Sequence, residues 1–570
     1  MQDAILEFLS KHWDKENVSK IQFSPVPKGQ SGDLAMSFFE LSKQLKRSPT
    51  EIAEEIKNVL VGAKYRSAQE LIDKAEIIGP YLNLTFQLNT FFIQVFKTPL
   101  KSNLFKGRTV VVEFSGPNTN KPLHLGHMRN HALGISVSNL LEVAGATVHR
   151  VNIINDRGVH ICKSMLAYQR WGKGETPELT GEKPDTFVGR YYVKFDQEAK
   201  KDESLNTEIQ KMLVQWEAGD KEVRALWKKM SQWALSGHKK TYERQGIHFE
   251  KEYKESDHYE YGVEFARKGV KNGVFQTRED GTIFIDLSDQ GLDQKVILRA
   301  DGTAIYLTQD IGLAKLRFDE FHPDEMIYVV ADEQNYHFQV LFLCLEKLGL
   351  LESKNLYHLG YGLVNLPHGR MKSREGIVVD ADTLMDELSE LALTEIKKRN
   401  SDISEKDAKR TAEQIMNAAW KFYLLSTSPK KTMTFNPEES IAFEGATGPY
   451  LQYAGVRMKS IFKKAGLELE PKFNPEKQGS ALGTAEKPLG IKILEFPNVL
   501  NRAAETKNPT YLVTYLLELA QTWSSYYAEN SILNAETEKL KTSRLTLAHK
   551  VYEILETGLD ILGIEIPEVM

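Results

Sequence analysis

The fold of this chain is decided by one stretch that leads from a strand into a helix: Thr109-Val110-Val111-Val112-Glu113-Phe114-Ser115-Gly116-Pro117-Asn118-Thr119-Asn120-Lys121-Pro122-Leu123-His124-Leu125-Gly126-His127-Met128. The β-branched run at 109–114 predicts a strand, and the amphipathic pattern from about Met128 to Ala144 predicts a helix. A helix start offers unpaired N–H groups and the positive end of the helix dipole, which together favour a phosphate group. The stretch therefore predicts a nucleotide site at the end of a strand.

Two histidines and a lysine supply the chemistry of this turn. His124 and His127 stand three residues apart, and Lys121 precedes them. Two imidazoles and one ammonium around a phosphate would stabilise the charge that develops during transfer at phosphorus. Gly126 leaves room for a purine ring or a phosphate to approach the backbone. An isolated His-x-x-His pair is more often an ordinary core or surface pair, so the prediction depends on the preceding strand and the Pro-Asn turn as well.

Size, charge and cysteine content narrow the class of protein. At 570 residues the chain is long enough for three or four domains. The net charge of −5 argues against indiscriminate nucleic-acid binding, although basic residues cluster locally, as in Arg457 to Lys464. The two isolated cysteines, Cys162 and Cys344, build neither a disulfide framework nor a thiolate zinc site, and we expect buried thiols and no protein metal site.

The termini and the apolar runs bear on where the protein works. The start of the chain carries acidic residues and no long apolar core, which is not typical of a secretory signal. No run approaches the roughly 20 apolar residues of a membrane span. We therefore expect a cytoplasmic protein without membrane partners.

The pattern of elements divides the chain into three predicted domains, at 1–105, 106–395 and 396–570. In the first, Gly32 to Ala35 and Ser48 to Glu51 each predict a helix start, and Gly79 to Phe86 predicts a strand. The second alternates strands and helices, as a parallel sheet requires, and is interrupted by a charged helical insertion at about 172–255. Its strand candidates are 109–114, 147–153, 283–287, 326–331 and 357–364. The third is predicted to be a helical bundle without strands, with helices at 405–425, 438–464, 494–504, 509–529 and 541–562 and a surface loop at 471–488.

The opening stretch resembles the "HIGH" signature of class I aminoacyl-tRNA synthetases. Residues Val112 to His127 are similar to the version found in arginyl-tRNA synthetases. The resemblance implies a Rossmann-like α/β catalytic domain, a small α+β N-terminal domain and an all-α C-terminal bundle that binds the anticodon. It also implies arginine–tRNA ligase activity, with L-arginine, ATP, Mg²⁺ and tRNA(Arg) as ligands, and we expect a monomer.

A second block resembles the mobile basic "KMSKS" loop of the family. It reads Gly369-Arg370-Met371-Lys372-Ser373-Arg374-Glu375-Gly376, without the lysine usual at its second basic position. In this family the lysine before the His-x-Gly-His is thought to compensate, and Lys121 is present. The resemblance implies that Met371, Lys372 and Ser373 contact ATP, together with His124, Gly126 and His127. It implies catalytic roles for Lys121, His124, His127, Lys372 and Arg374.

A third block concerns the amino acid. Tyr306 and Asp310 are four residues apart and lie on one face if the segment is helical. An aromatic ring beside a carboxylate suits a guanidinium, although the spacing alone also fits an ordinary surface acid beside a half-buried tyrosine. The family's arginine-binding positions fall on Glu113, Asn118, Tyr306, Asp310 and Gln334.

The remaining resemblance concerns tRNA. The segment from Phe443 to Ala454 and the chain end from Gly558 to Met570 resemble the family's anticodon-binding domain. Stacking of a base on an aromatic ring is worth about 1–3 kcal/mol. The positions implied to contact tRNA are Asn83, Phe86, Tyr450, Tyr453 and Met570, and packing within the fold is the alternative for the aromatic ones.

Two other functions fit parts of the sequence. Another nucleotidyl-transferring enzyme with the same fold would need a thiolate zinc site, as in cysteinyl enzymes, or a much shorter chain, as in pantetheine-phosphate adenylyltransferases. A catalytically inactive synthetase-like protein that binds RNA or partners is supported by the altered loop at Met371 to Arg374 alone. Formation of an aminoacyl-adenylate would separate this last alternative from an active ligase.

Overall fold

The computed structural model describes residues 2–24, 26–27, 29–61, 72–367, 379–466 and 481–570. Internal contacts group the chain into two units. The first comprises Met1–Leu100, Ala454–Val499 and Tyr515–Thr557, and the second comprises Lys101–Tyr453, Leu500–Thr514 and Gly558–Met570. The division into three domains stays a prediction. In the described part of the chain, no helix is long and apolar enough to cross a membrane.

The second unit contains the central sheet, whose five strands are all parallel. From one edge to the other the strands are Leu356–Tyr361, Glu325–Ala331, Thr109–Glu113, Thr147–Ile154 and Lys251–Lys254. The strand order reverses between Thr109–Glu113 and Glu325–Ala331, where an open α/β sheet binds its ligands at the carboxyl ends. The predicted Rossmann-like fold is confirmed, and its switch point lies beside the His124 turn.

Two strand predictions need correction. Ile283–Ile285 is a strand, but it pairs antiparallel with Lys295–Leu298 and Gln276–Thr277 in a separate sheet. The central-sheet strand Lys251–Lys254 was assigned from sequence to the helical insertion, and that assignment is wrong. Only Tyr253 of this edge strand is buried, so its sequence lacks the alternation that marks a half-buried strand.

The helix that follows the first central strand, Leu125–Val143, is here called the histidine helix because His124 and His127 lie at its start. It is buried along most of its length. At Gly134 a Cβ atom would overlap the ring of Phe114, so the glycine allows the helix to pack closely against the strand end.

We expect Gly134→Ala to lower the free energy of unfolding by about 1–3 kcal/mol, because the added methyl group overpacks the helix against Phe114. Urea unfolding followed by circular dichroism measures the change. The pair Gly134→Ala with Phe114→Leu should lose less than the two single changes added together. A Gly134→Ala protein within about 0.5 kcal/mol of wild type would contradict this packing.

Helices make up most of the rest of the second unit. Those between the central strands are Val159–Trp171, Pro177–Thr180, Pro184–Ala199, Ser204–Glu217, Lys221–Gln245, Glu255–His258, Tyr261–Lys271, Tyr306–Phe321 and Asn335–Lys347. After the sheet come Ala381–Arg399, Glu405–Leu425 and Pro437–Ser440. A two-residue strand, Met433–Thr434, pairs with Val364–Asn365, so the expectation of no strands beyond 396 was wrong.

The last helices are Gly448–Lys464, Lys487–Thr506, Thr510–Glu529 and Glu538–Ile561. The prediction of one helix over 438–464 was wrong, since Pro437–Ser440 and Gly448–Lys464 are separate. Most of the predicted surface loop at 471–488 lies outside the described residues, and its last residues begin the helix Lys487–Thr506.

The first unit contains an antiparallel sheet with strand order Gln22–Ser24, Leu34–Ser37, Tyr81–Phe86 and Ile72–Ile78. Its helices before residue 100 are Gln2–His12, Lys15–Val18, Phe39–Leu45, Pro49–Val61 and Leu88–Lys97. The predicted helix start at Gly32 to Ala35 is wrong, because this segment leads into a strand. The helix start at Ser48 is confirmed: the backbone N–H of Glu51 donates to Oγ of Ser48, and the N–H of Ser48 donates to Glu51.

Candidate active site

An open cleft of about 820 Å³ lies at the carboxyl ends of the central strands. It is lined by all five predicted arginine-binding residues and by the histidine turn: Glu113, Asn118, Tyr306, Asp310, Gln334, His124, Gly126 and His127. The fold thus brings Tyr306, Asp310 and Gln334 close to the histidine turn, although they lie about 180 to 210 residues after His124 in the sequence.

The two histidines of the turn are held in one tautomer by backbone amides. The N–H of Gly126 donates to Nδ1 of His124 (3.2 Å), and the N–H of His124 donates to Nδ1 of His127 (3.1 Å). Because each Nδ1 accepts a hydrogen bond, each proton must sit on Nε2. Both imidazoles can therefore donate an Nε2–H bond to an anionic oxygen.

Both imidazoles are uncharged at neutral pH in this site. Burial, with help from the nearby charges of Lys121 and His131, lowers the pKa of His124 to about 3. Burial and the neighbouring His124 and Lys121 also hold the pKa of His127 well below its usual value. The histidines consequently serve as dipolar donors, and positive charge in the described part of this turn comes from Lys121.

Gly126 also has a structural role that the sequence did not predict. A Cβ atom there would come within 3.0 Å of Cε1 of His124. Without a side chain at Gly126, the imidazole of His124 can lie over the backbone N–H of Gly126. That N–H donates to Nδ1 of His124 and so fixes its tautomer. Clearance for a purine ring at Gly126 stays a prediction.

Lys121 is positioned by the insertion. Nε2 of His238, on the helix Lys221–Gln245, donates to the backbone carbonyl of Lys121 (2.9 Å). Burial lowers the pKa of the Lys121 ammonium from its ordinary value. A phosphate nearby would reverse this trend because it favours the charged form.

The predicted guanidinium site holds a carboxylate that already has a partner. Asp310 lies on the helix Tyr306–Phe321, and its Oδ2 is 2.6 Å from Nε2 of His337 on the helix Asn335–Lys347. Tyr306, one turn before Asp310, is 69% exposed and lines the cleft. Gln334 and Asn118 are also accessible and complete the rim.

The second carboxylate of this site, that of Glu113, is paired with a buried arginine. Glu113 is buried at the end of its strand and forms an ion pair with Arg317, which is 1% exposed. Burial raises the pKa of Glu113, and the guanidinium of Arg317 opposes that rise. No sequence motif singled out Arg317 or His337, because each pairs with a carboxylate that is distant in the sequence.

A buried arginine ties the histidine helix to the opposite wall of the cleft. Arg129 donates to the backbone carbonyls of Gly362, Leu363, Ser428, Pro429 and Lys431. These bonds place the segment after the last central strand against the start of the histidine helix. Arg129 was not among the predicted site residues, although an arginine within an otherwise buried helix is a signal that could have found it.

Part of the predicted ATP site falls on the basic loop. Met371, Lys372, Ser373 and Arg374 lie outside the described residues. The residue after that segment, Val379, accepts a hydrogen bond from the backbone N–H of Leu125 (3.2 Å). The chain that leaves the loop thus returns to the histidine turn.

The predicted tRNA contacts differ in accessibility. Asn83 is 1% exposed and donates to Gln30 and to the carbonyl of Ser31, and Phe86 is buried against Phe91. Their burial favours a packing role for both side chains. Tyr450, Tyr453 and Met570 are half-buried, so part of each side chain is accessible. Contact with tRNA stays a prediction at all five positions.

Both cysteines are buried and reduced, as expected. Cys162 and Cys344 are free thiols, and burial raises the pKa of each to about 12. Neither is therefore a nucleophile at neutral pH.

Three family models match consecutive parts of the chain. The catalytic domain of class I tRNA synthetases (R) matches residues 92–436, which is more than half of the chain. The arginyl tRNA synthetase N-terminal domain matches residues 1–86. The DALR anticodon binding domain matches residues 451–570.

Similar proteins agree with these matches. The chain is 44% identical over 572 residues to an arginine–tRNA ligase of Treponema denticola, covering 98% of this chain and 96% of that one. It is 40% identical to an arginine–tRNA ligase of Parabacteroides distasonis, with coverage of 97% and 96%. The structure of Thermus thermophilus arginyl-tRNA synthetase superposes with a TM-score of 0.86 at 27% identity, covering all of both chains. The chain therefore belongs to the arginyl-tRNA synthetases, which are class I aminoacyl-tRNA ligases.

Proposed function

We propose that this chain activates L-arginine with ATP and transfers the arginyl group to the 3′ end of tRNA(Arg). The observation that carries the proposal is a single cleft that holds Nε2–H donors of His124 and His127 at one side and the carboxylate of Asp310 at the other. One side suits a polyphosphate and the other suits a guanidinium.

In the first step, the carboxylate of arginine attacks the α-phosphorus of ATP, and pyrophosphate leaves. His124 and His127 donate Nε2–H bonds to phosphate oxygens as negative charge shifts toward the leaving group. Lys121 supplies positive charge beside them. We propose the same role for Lys372 and Arg374, and ATP contacts for Met371 and Ser373, from the sequence alone.

Magnesium would enter with the nucleotide. Among the described residues there is no group of three His, Cys, Asp or Glu side chains able to hold a metal ion. We propose that phosphate oxygens and water hold Mg²⁺, as is usual for this ion, and that it neutralises part of the triphosphate charge when bound.

The second step transfers the arginyl group from the adenylate to the terminal ribose hydroxyl of the tRNA, and AMP leaves. The protein contributes positioning and charge stabilisation, without a covalent enzyme intermediate. We propose that Asn83, Phe86, Tyr450, Tyr453 and Met570 contact the tRNA. The half-burial of Tyr450 and Tyr453 supports base stacking on their rings. The burial of Asn83 and Phe86 argues against tRNA contact at these two residues.

Selectivity for arginine follows from Asp310. A carboxylate that a bound ligand covers but leaves without a cationic partner costs roughly 2–5 kcal/mol, which corresponds to about 30- to several-thousand-fold discrimination against neutral citrulline. Lysine keeps the charge but cannot fill a planar forked site.

Charging of total tRNA with labelled arginine, ATP and Mg²⁺, with lysine and citrulline alongside, tests the proposal. We expect charging with arginine alone. A folded protein that binds tRNA but forms neither adenylate nor arginyl-tRNA would instead support the inactive synthetase-like alternative. We also propose a cytoplasmic monomer of three domains, and sedimentation of the purified protein tests the monomer.

His127→Asn is expected to lower kcat for charging by about 10²–10³-fold, because it removes one donor to developing charge. The asparagine carbonyl can still accept the N–H of His124, so the turn is retained. His322→Asn is a suitable control, since His322 is exposed at a helix end with a left-handed backbone that asparagine tolerates. Unchanged kcat in His127→Asn would remove this residue from the catalytic set.

A further inference from the structure

His337 contacts Oδ2 of Asp310, an oxygen atom to which a bound guanidinium would donate. Oδ2 of Asp310 and Nε2 of His337 are 2.6 Å apart, and both residues line the cleft. In a protein with arginine bound, the carboxylate is expected to take two parallel N–H bonds from the substrate. One of its two oxygens is therefore already engaged by His337.

Among the residues that the structure describes, His337 is the cation that pairs with Asp310. Asp310 interacts electrostatically with Glu113 and Glu255, and each of these carboxylates is itself paired with an arginine. Arg317 is committed to Glu113, and Arg157 lies between Glu217 and Glu255. An imidazolium at this position would compensate the carboxylate.

The groups that face His337 from its other side have a smaller effect on its pKa than Asp310 has. His358, on the strand Leu356–Tyr361, stacks on Phe338 and donates to the carbonyl of Val330. Burial, with a smaller contribution from His337, lowers the pKa of His358, while the hydrogen bond to Val330 and the charge of Asp332 oppose this. The ring of His337 itself contacts Phe338 edge to face, which holds its Nε2 toward Asp310.

We propose that His337, as an imidazolium, pairs with Asp310 when arginine is not bound, so that arginine binding displaces it from Asp310 and releases its proton to solvent. This inference rests on the function proposed above and adds a residue that sets the pH dependence of substrate binding. His337 is a positioning residue: it acts on arginine through Asp310.

The electrostatics of the pair give the sign of the effect. Burial alone would lower the pKa of His337, but the hydrogen bond and the charge of Asp310 outweigh burial and raise it above 6.5. Once a guanidinium holds Asp310, burial and the new positive charge both lower that pKa. Arginine affinity is therefore highest at pH values above the raised pKa that His337 has without arginine. As the pH falls below that value, the affinity weakens by up to about tenfold per pH unit. The decrease ends at the lower pKa that His337 has in the arginine complex.

Isothermal titration of the full-length protein with L-arginine, at about pH 6.5 in buffers of different ionisation enthalpy, measures the released protons. We expect release of a fraction of one proton per arginine in the wild type. His337→Gln keeps a donor to Asp310 but has no titrating group. It should abolish the release and bind arginine with nearly constant affinity between about pH 6 and pH 8.

His149→Gln is the matched control, because His149 forms a similar pair with Glu250 (2.7 Å) outside the cleft. This control should release protons like the wild type. Arginine binding without proton release in the wild type, or unchanged release in His337→Gln, would overturn the inference while leaving the proposed function intact. An absence of arginine binding in all three proteins would contradict the proposed function, and this inference with it.

Discussion

Asp310→Asn should lower kcat/KM for arginine by about 30- to several-thousand-fold while the fold is retained. The substitution keeps the size of the side chain but removes the charge that a guanidinium would pair with. Tyr306, one helical turn earlier, remains available for stacking, so loss of charge is tested separately from loss of shape. The expected loss is large because Glu113, the other carboxylate of the site, is already neutralised by Arg317.

Steady-state charging of tRNA at several arginine concentrations measures this effect. Most of the loss should appear in KM if the charge acts in the ground state and the transition state alike. Asp319→Asn is the control, since Asp319 is exposed on the same helix and pairs with Lys315. A KM and kcat within threefold of wild type in Asp310→Asn would remove Asp310 from the arginine site, because about threefold is less than 1 kcal/mol.

Arg317→Met should lower the free energy of unfolding by about 3–5 kcal/mol, because it leaves the carboxylate of Glu113 buried without its partner. Arg317 is nearly inaccessible, so water cannot replace its guanidinium. The loss should be smaller at about pH 5 than at pH 8. Burial already raises the pKa of Glu113, and without Arg317 this carboxyl would take up a proton more readily.

Urea unfolding at both pH values measures this loss. The double change Glu113→Gln with Arg317→Met should recover much of the stability, because it removes the uncompensated charge. Arg150→Met serves as the control: Arg150 pairs with Glu142 near the surface, and such pairs contribute at most about 1 kcal/mol. Equal losses of unfolding free energy in Arg317→Met and Arg150→Met would contradict a stabilising role for the buried pair of Arg317 and Glu113.

The sequence by itself determined the strand, turn and helix around His124, because each depends on residues within a few positions of one another. Helix starts such as Ser48 and the helix Glu405–Leu425 were predicted for the same local reason. The segments that were misassigned, Leu34–Ser37 and Lys251–Lys254, take their strand form from neighbouring strands. Pairing of that kind leaves little trace in a short segment.

The candidate site divides in the same way. The histidines and Lys121 were predicted from one continuous motif, and the five arginine-site positions from the resemblance of three separate segments to the family. Only the tertiary structure decided that Gly126 clears a place for His124, that Arg317 neutralises Glu113, and that His337 holds Asp310. Charge pairing between buried side chains depends on distance in space and on burial, and neither is set by spacing in the sequence.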